Sequence, residues 1–185
     1  TSRVAASYNY STEVYLGRRF PIGGWQLQAS SQISKRLYFR VVYRRSKLIR
    51  YVADPFRGYG SRATASLVFQ PSENLNWSLD LTSADFFRDS TRERIYDYTI
   101  VRNRLTYQVN KHLFFRGIVE YNAYRKQLLS DLLASFTYIP GTVIHLGYGS
   151  LYEKVRWEND AYVPGRDLLE TRRGFFFKAS YLWRL

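Results

Sequence analysis

Ten stretches of this 185-residue chain alternate apolar and polar residues with a period of two, and sustained alternation of that kind is the signature of strands with one apolar face. In the first stretch Val4, Ala6, Tyr8, Tyr10, Val14 and Leu16 share a face opposite Arg3, Ser7, Asn9, Ser11 and Glu13. The next repeat the rule with Trp25, Leu27, Ala29 and Ile33, with Leu37, Phe39, Val41 and Tyr43, with Ala63, Ala65, Leu67 and Phe69, and with Leu75, Trp77, Leu79 and Leu81. The second half continues with Val101 to Val109, Leu113 to Tyr121, Leu128 to Tyr138, Ile144 to Tyr152 and Phe175 to Leu185. Ser130 is a local exception on the apolar face. No helical period intervenes, so the chain predicts an all-β fold of about ten antiparallel strands joined in an up-and-down order.

The links between stretches predict an asymmetry. Short turns at 34–36, 71–74, 110–112 and 140–141 alternate with links read as longer or more polar at 17–24, 51–58, 88–95, 125–127 and 154–172. In a meander every second link falls at the same strand end, so one rim is trimmed and the other carries the loops, as in outer-membrane barrels. An even strand count then puts both termini on the short-turn, periplasmic side. Mean hydropathy is −0.38 and there is no apolar run near 18 residues, which excludes a spanning helix and leaves strands as the only way across a bilayer.

Alternation alone does not say whether the apolar face turns to lipid or into the core of a soluble, lipid-binding barrel. The charges of the polar face suit both arrangements, and the placement of the aromatics favours lipid. The polar face carries charges in mid-strand, namely Arg40, Arg62, Asp80, Arg102, Arg104, Arg116, Glu120, Asp131 and Lys178, which read as a lumen charge network. Large aromatics of the apolar face gather near strand ends: Phe69, Trp77, Tyr107, Phe115, Tyr181 and Trp183 toward the short-turn rim, Trp25, Tyr43, Tyr121 and Tyr152 toward the other. Two such girdles are expected where amphipathic rings sit at headgroup depth, although Tyr8 and Tyr10 depart from the pattern.

The chain end supports the same location. Lys178, Ser180, Trp183 and Leu185 resemble the C-terminal signal read by the barrel-assembly machinery, with Ser180 in place of the usual Gly and Leu185 in place of the usual terminal aromatic. The runs 103–108, 132–143, 147–150 and 175–185 resemble the C-terminal barrel of a bacterial family whose longer members carry an N-terminal, family-9-like carbohydrate-binding module. The resemblance covers about the last half of the chain. It implies an outer-membrane location and a module upstream, and it implies no mechanism. The opening Thr1-Ser2-Arg3 has neither an initiator Met nor an apolar leader, so residues 1–185 are expected to form one barrel domain within a longer chain.

The absence of Cys removes disulfides, thiolate metal sites and thiol nucleophiles. His112 and His145, with the polar-face acids, invite comparison with ten-stranded outer-membrane proteases, but His112 falls in a short turn and His145 early in its strand, both at the wrong height. A lipid-facing Ser–His hydrolase fares no better, and the expectation is no catalytic residue, metal or cofactor. The net charge of +13 and 18% aromatic content suit nucleic acid in principle, yet the cations are spread over every stretch and not gathered in one patch. Expected partners are outer-membrane lipid, the assembly machinery and further proteins of a membrane complex. Basic positions near the outer ends, Arg44, Arg45, Lys47, Arg50, Arg88, Arg125 and Lys126, stand either to meet lipopolysaccharide or to be solvated loop charge. The functional expectation is an anchor, an assembly component or a pore; the Arg-rich polar face reads either as an anion-selective lining or as a network filling a narrow lumen. Gly147 and Gly149, also on the polar face, mark a bulge or make room for a bulky neighbour such as Tyr124 or Arg116. The stretch 154–172 reads as a surface-binding loop or a lid.

Overall fold

A computed structural model describes residues 1–158 and 161–182. It contains ten strands: β1 (Ser2–Tyr15), β2 (Arg18–Ser34), β3 (Leu37–Arg50), β4 (Phe56–Ser72), β5 (Leu75–Arg88), β6 (Arg94–Gln108), β7 (Leu113–Asn122), β8 (Gln127–Ile139), β9 (Thr142–Glu158) and β10 (Ala161–Ser180). They form one sheet in sequential order, up and down, the arrangement that short links between consecutive antiparallel strands produce. The chain divides into two compact units, residues 1–67 with 80–100 and residues 68–79 with 101–185.

The predicted parity is the observed one. In the first unit the register lines Val4, Ala29 and Val41 in one row, then Ala6, Leu27 and Tyr43, then Tyr8, Trp25 and Arg45, then Tyr10, Gly23 and Lys47. In the second unit the rows run Leu113–Phe136–Ile144–Ala179, Phe115–Ala134–Leu146–Phe177 and Gly117–Leu132–Tyr148–Phe175. Two mixed rows follow, Val119–Ser130–Ser150–Arg173 and Tyr121–Leu128–Tyr152–Glu170. From Leu113 to Tyr121 the rows cover about 26 Å of strand at ~3.3 Å per residue. A tilt of about 40° reduces that to roughly 20 Å of height, close to the ~25 Å apolar band of a transmembrane barrel.

The links differ from the sequence expectation. β1 turns into β2 at residues 16–17, where Leu16 and Gly17 both take positive φ (48° and 75°), the geometry of a two-residue hairpin turn. Of the stretch 17–24, residues 18–24 are therefore strand and not loop, although Gly23 among them has φ of 150°. Residues 154–172 are likewise mostly strand, continued from β9 into β10 with register shifts between Pro164 and Leu168 and between Glu170 and Arg172. The links at 51–55, 89–93 and 123–126 are short as well. Turn-forming residues such as Pro21, Gly23, Gly24 and Pro164 lie inside strands of 17 to 20 residues, because the partner strand is long enough to keep pairing with them.

Gly147 and Gly149 carry no bulge. Register runs unbroken through Leu133–Gly147–Phe176 and Asp131–Gly149–Gly174. The bulky neighbour is Phe176: a Cβ on Gly147 would fall within its ring, whereas one on Gly149 meets little. Gly147→Ala is therefore expected to destabilise the folded chain by ~1 kcal/mol, at the low end of overpacking costs, because the half-exposed ring can swing aside. Urea midpoints in detergent check this, and the penalty should vanish in a Phe176→Ala background.

Candidate functional site: the two faces of the sheet

Burial ranks the two faces in the reverse of a soluble protein's order. In the first unit the buried side chains Phe20, Ser46, Ala84 and Phe86 all have polar-face parity, with Ile49 the exception. In the second, Ser78, Ile118 and Ser135 do, with Ser150 the exception. The apolar face is exposed instead: Leu27 is 47% exposed, Leu105 46%, Val119 47%, Leu132 56% and Leu146 55%. A soluble lipid-binding barrel needs the opposite arrangement, with these residues shielded from solvent.

The first unit holds three members of the predicted charge network. Arg62 donates to the Tyr98 hydroxyl (3.1 Å), Asp80 accepts from Ser66 Oγ (2.7 Å), and Arg40 is exposed with no ion pair among the described residues. The second holds six. Arg102 pairs with Glu120 (3.8 Å), Arg116 with Asp131 (3.5 Å), Arg104 donates to buried Ser78 (3.2 Å), and Lys178 stands opposite His145. Among the described residues, hydroxyls thus satisfy several of these groups, and acids neutralise two of the cations.

The His residues separate. His112 Nδ1 lies 2.8 Å from the Thr137 carbonyl oxygen, which ties the short turn to β8. His145 lies between Ser135 and Lys178, and its buried Nδ1 has no hydrogen-bond partner among the described residues. Asp131 is engaged by Arg116 and not by His145.

Of the predicted girdle, Trp25 and Tyr43 touch with ring centroids 5.1 Å apart, and Tyr121 and Tyr152 fall in one row. Trp77 donates its indole N–H to Asn103 (2.9 Å), which satisfies a polar side chain on the apolar face. Phe69, Tyr107, Phe115 and Tyr181 are exposed, and Trp183 lies outside the described residues. Of the assembly signal, Lys178 and Ser180 end β10, while Trp183 and Leu185 lie outside the described residues.

Two features escaped the sequence reading. One is an aromatic plug on the polar face, where Phe86 stacks on Tyr96 (5.6 Å) and approaches Phe56 (6.4 Å) over Gly58. The signal was present in the spacing of Gly58 and Gly60, two residues apart on the face opposite Ala63 and Ala65. The other is a polar notch on the apolar face, in which Glu170 accepts hydrogen bonds from Ser150 Oγ and the Tyr148 hydroxyl (3.1 Å). It depends on the shift between Glu170 and Arg172 in β10, which no local pattern announces. At the other end of the chain, Tyr51 in the 51–55 link donates to Glu13 (2.9 Å), and this bond holds its phenol above the ordinary tyrosine range.

No family model matches the chain, and no curated protein matches it. Among solved structures it is similar to the CymD monoaromatic hydrocarbon channel, with TM-score 0.44 and 13% identity over 74% of this chain and 48% of that one. It is also similar to the P. putida toluene transporter TodX, with TM-score 0.42 and 15% identity over 80% of this chain and 47% of that one. The chain spans about half the length of these two structures.

Proposed function

We propose that this chain is an integral outer-membrane β-barrel protein, with its apolar face against lipid and its polar face toward a lumen, and that it works as a pore without catalysis. One observation carries the reading: the apolar side chains of a continuous two-residue alternation are left largely exposed, and most of the buried side chains lie on the polar face, with Ile49 and Ser150 the exceptions. Such a sheet is stable only where hydrocarbon replaces water on its outside, and strands cross a bilayer only when every backbone group is paired within a barrel. The C-terminal runs that resemble a bacterial family of such barrels belong to this proposal, as does a module ahead of the strands. The chain is expected to be monodisperse only with detergent and to enter vesicles in a protease-protected form. A monodisperse protein in plain buffer would reject the membrane reading in favour of the soluble barrel.

The pore reading rests on the charge of the polar face. Arg40, Arg62, Arg104 and Lys178 have no carboxylate partner among the described residues, so the lining retains positive charge that a self-neutralised plug would lack. Unpaired Arg and Lys on a pore wall favour anions. In planar bilayers under a KCl gradient the reversal potential is expected to take the sign of chloride preference, and Arg102→Gln with Arg104→Gln should move it toward zero. A membrane anchor or assembly component would insert equally well and conduct nothing.

A further inference from the structure

The outer ends of β1, β2 and β3 build a groove of about 610 Å³ on the apolar side of the first unit. Its shape follows from the register. Tyr8, Trp25 and Arg45 form one row and Tyr10, Gly23 and Lys47 the next, so Gly23 leaves a gap between a tyrosine and a lysine. Arg92, from the 89–93 link, lines the same groove. Arg45 lies 5.8 Å from the Tyr59 ring centroid, and no ion pair engages Arg45, Lys47 or Arg92 among the described residues. The one acid at the groove, Asp89, is already held by Arg57. Toward the short-turn end the same strands continue as the apolar rows Ala6–Leu27–Tyr43 and Val4–Ala29–Val41.

Three uncommitted cations above an aromatic rim and an apolar wall are complementary to one kind of molecule, an amphiphile with an anionic head and hydrocarbon tails. We propose that this groove binds a phosphorylated lipid, its phosphate held by Arg45, Lys47 and Arg92 and its acyl chains laid along the rows of Leu27 and Val41. Trp25 and Tyr43, in ring contact, sit at the boundary where such a headgroup meets its chains. The arginines supply planar, multidentate donors and Lys47 a point charge, a combination suited to phosphate oxygens. Gly23 is needed for the close approach of β1 and β2 here: at φ of 150° a Cβ there would run into the Asn9 carbonyl oxygen of β1.

This proposal rests on the membrane reading, and the experiment separates the two. The full chain is refolded in phosphatidylcholine vesicles and insertion is read by protease protection; diphosphoryl lipid A is then titrated into detergent micelles of the protein and adducts are counted by native mass spectrometry. Arg45→Gln with Lys47→Gln is expected to weaken lipid A binding about thirtyfold, from roughly a fivefold loss per cation at a membrane surface, and Arg92→Gln alone about fivefold. Lys35→Gln with Arg36→Gln, which removes the same charge at the opposite strand end, is expected to change it less than about twofold. Equal losses in both double variants would mean diffuse surface attraction and would overturn the site. Displacement of the lipid by millimolar inorganic phosphate would show an anion site without lipid selectivity and would also overturn it. Failure to insert rejects the membrane reading and this proposal together, whereas insertion with lipid A binding unaffected by all three groove substitutions rejects this proposal alone.

Discussion

Leu132→Arg is expected to destabilise the folded protein in a bilayer by ~2–4 kcal/mol, although Leu132 is 56% exposed and touches little. In water, exchanging so exposed a residue for Arg changes stability by only about 0.5 kcal/mol in either direction. The large cost arises only if hydrocarbon lies against the side chain. Leu132 stands in the third of the five rows that run from Leu113 to Tyr121, the middle of the apolar band, where the penalty for a cation peaks. Tyr138, also on the apolar face but near the 140–141 turn, is 66% exposed and sits at the band's edge. Tyr138→Arg should therefore cost only ~0–1 kcal/mol. The measurement is reversible urea unfolding in vesicles for both variants. A steep difference between the two positions supports a lipid-facing band, and near-zero effects at both would mean that water covers this face.

The fold was legible for a simple physical reason. Side-chain direction in a strand repeats every two residues, so parity in the sequence maps directly onto faces of the sheet. Ten segments, their order and the faces of the residues in the rows from Val4 to Tyr152 follow from that rule alone. Where strands end is another matter. Gly23, Gly24 and Pro21 look like a loop, yet each is paired with β1, because backbone hydrogen bonding continues past the apolar band wherever the partner strand is long enough. The candidate site was legible in kind but not in arrangement. Arg45 and Lys47 were recognisable as basic positions near an outer end, but their convergence with Tyr8, Tyr10 and Arg92 depends on cross-strand register and on one link, and neither is a local property. Likewise the pairing of Arg116 with Asp131 is diagonal across neighbouring strands, and it and the pairing of Arg102 with Glu120 need the register first.

Phe86→Ala is expected to be the most damaging single substitution in the first unit, with a loss of ~3–5 kcal/mol. Phe86 is 2% exposed, stacks on Tyr96 with an interplanar angle of 18°, and lies against Phe56, whose other contact is the guanidinium of Arg88 4.0 Å from the ring centroid. Its ring occupies the space that the missing side chain of Gly58 leaves open, and Gly60 beside it is equally bare. Truncation therefore leaves a cavity that neither glycine can refill, the situation in which cavity cost adds in full to lost transfer energy. Gly58→Ala attacks the same packing from the other side, because its Cβ would meet both the Phe86 ring and the Phe87 carbonyl oxygen, and backbone cannot swing away as a side chain does. The two changes are coupled: Phe86→Ala makes room for the new methyl, so the double variant should be more stable than the sum of the single losses by ~1 kcal/mol or more. Urea midpoints of the four proteins in detergent give this coupling directly. Strict additivity would show that Phe86 and Gly58 do not share a packing site, and that the aromatic plug is not what holds the outer ends of β4, β5 and β6 together.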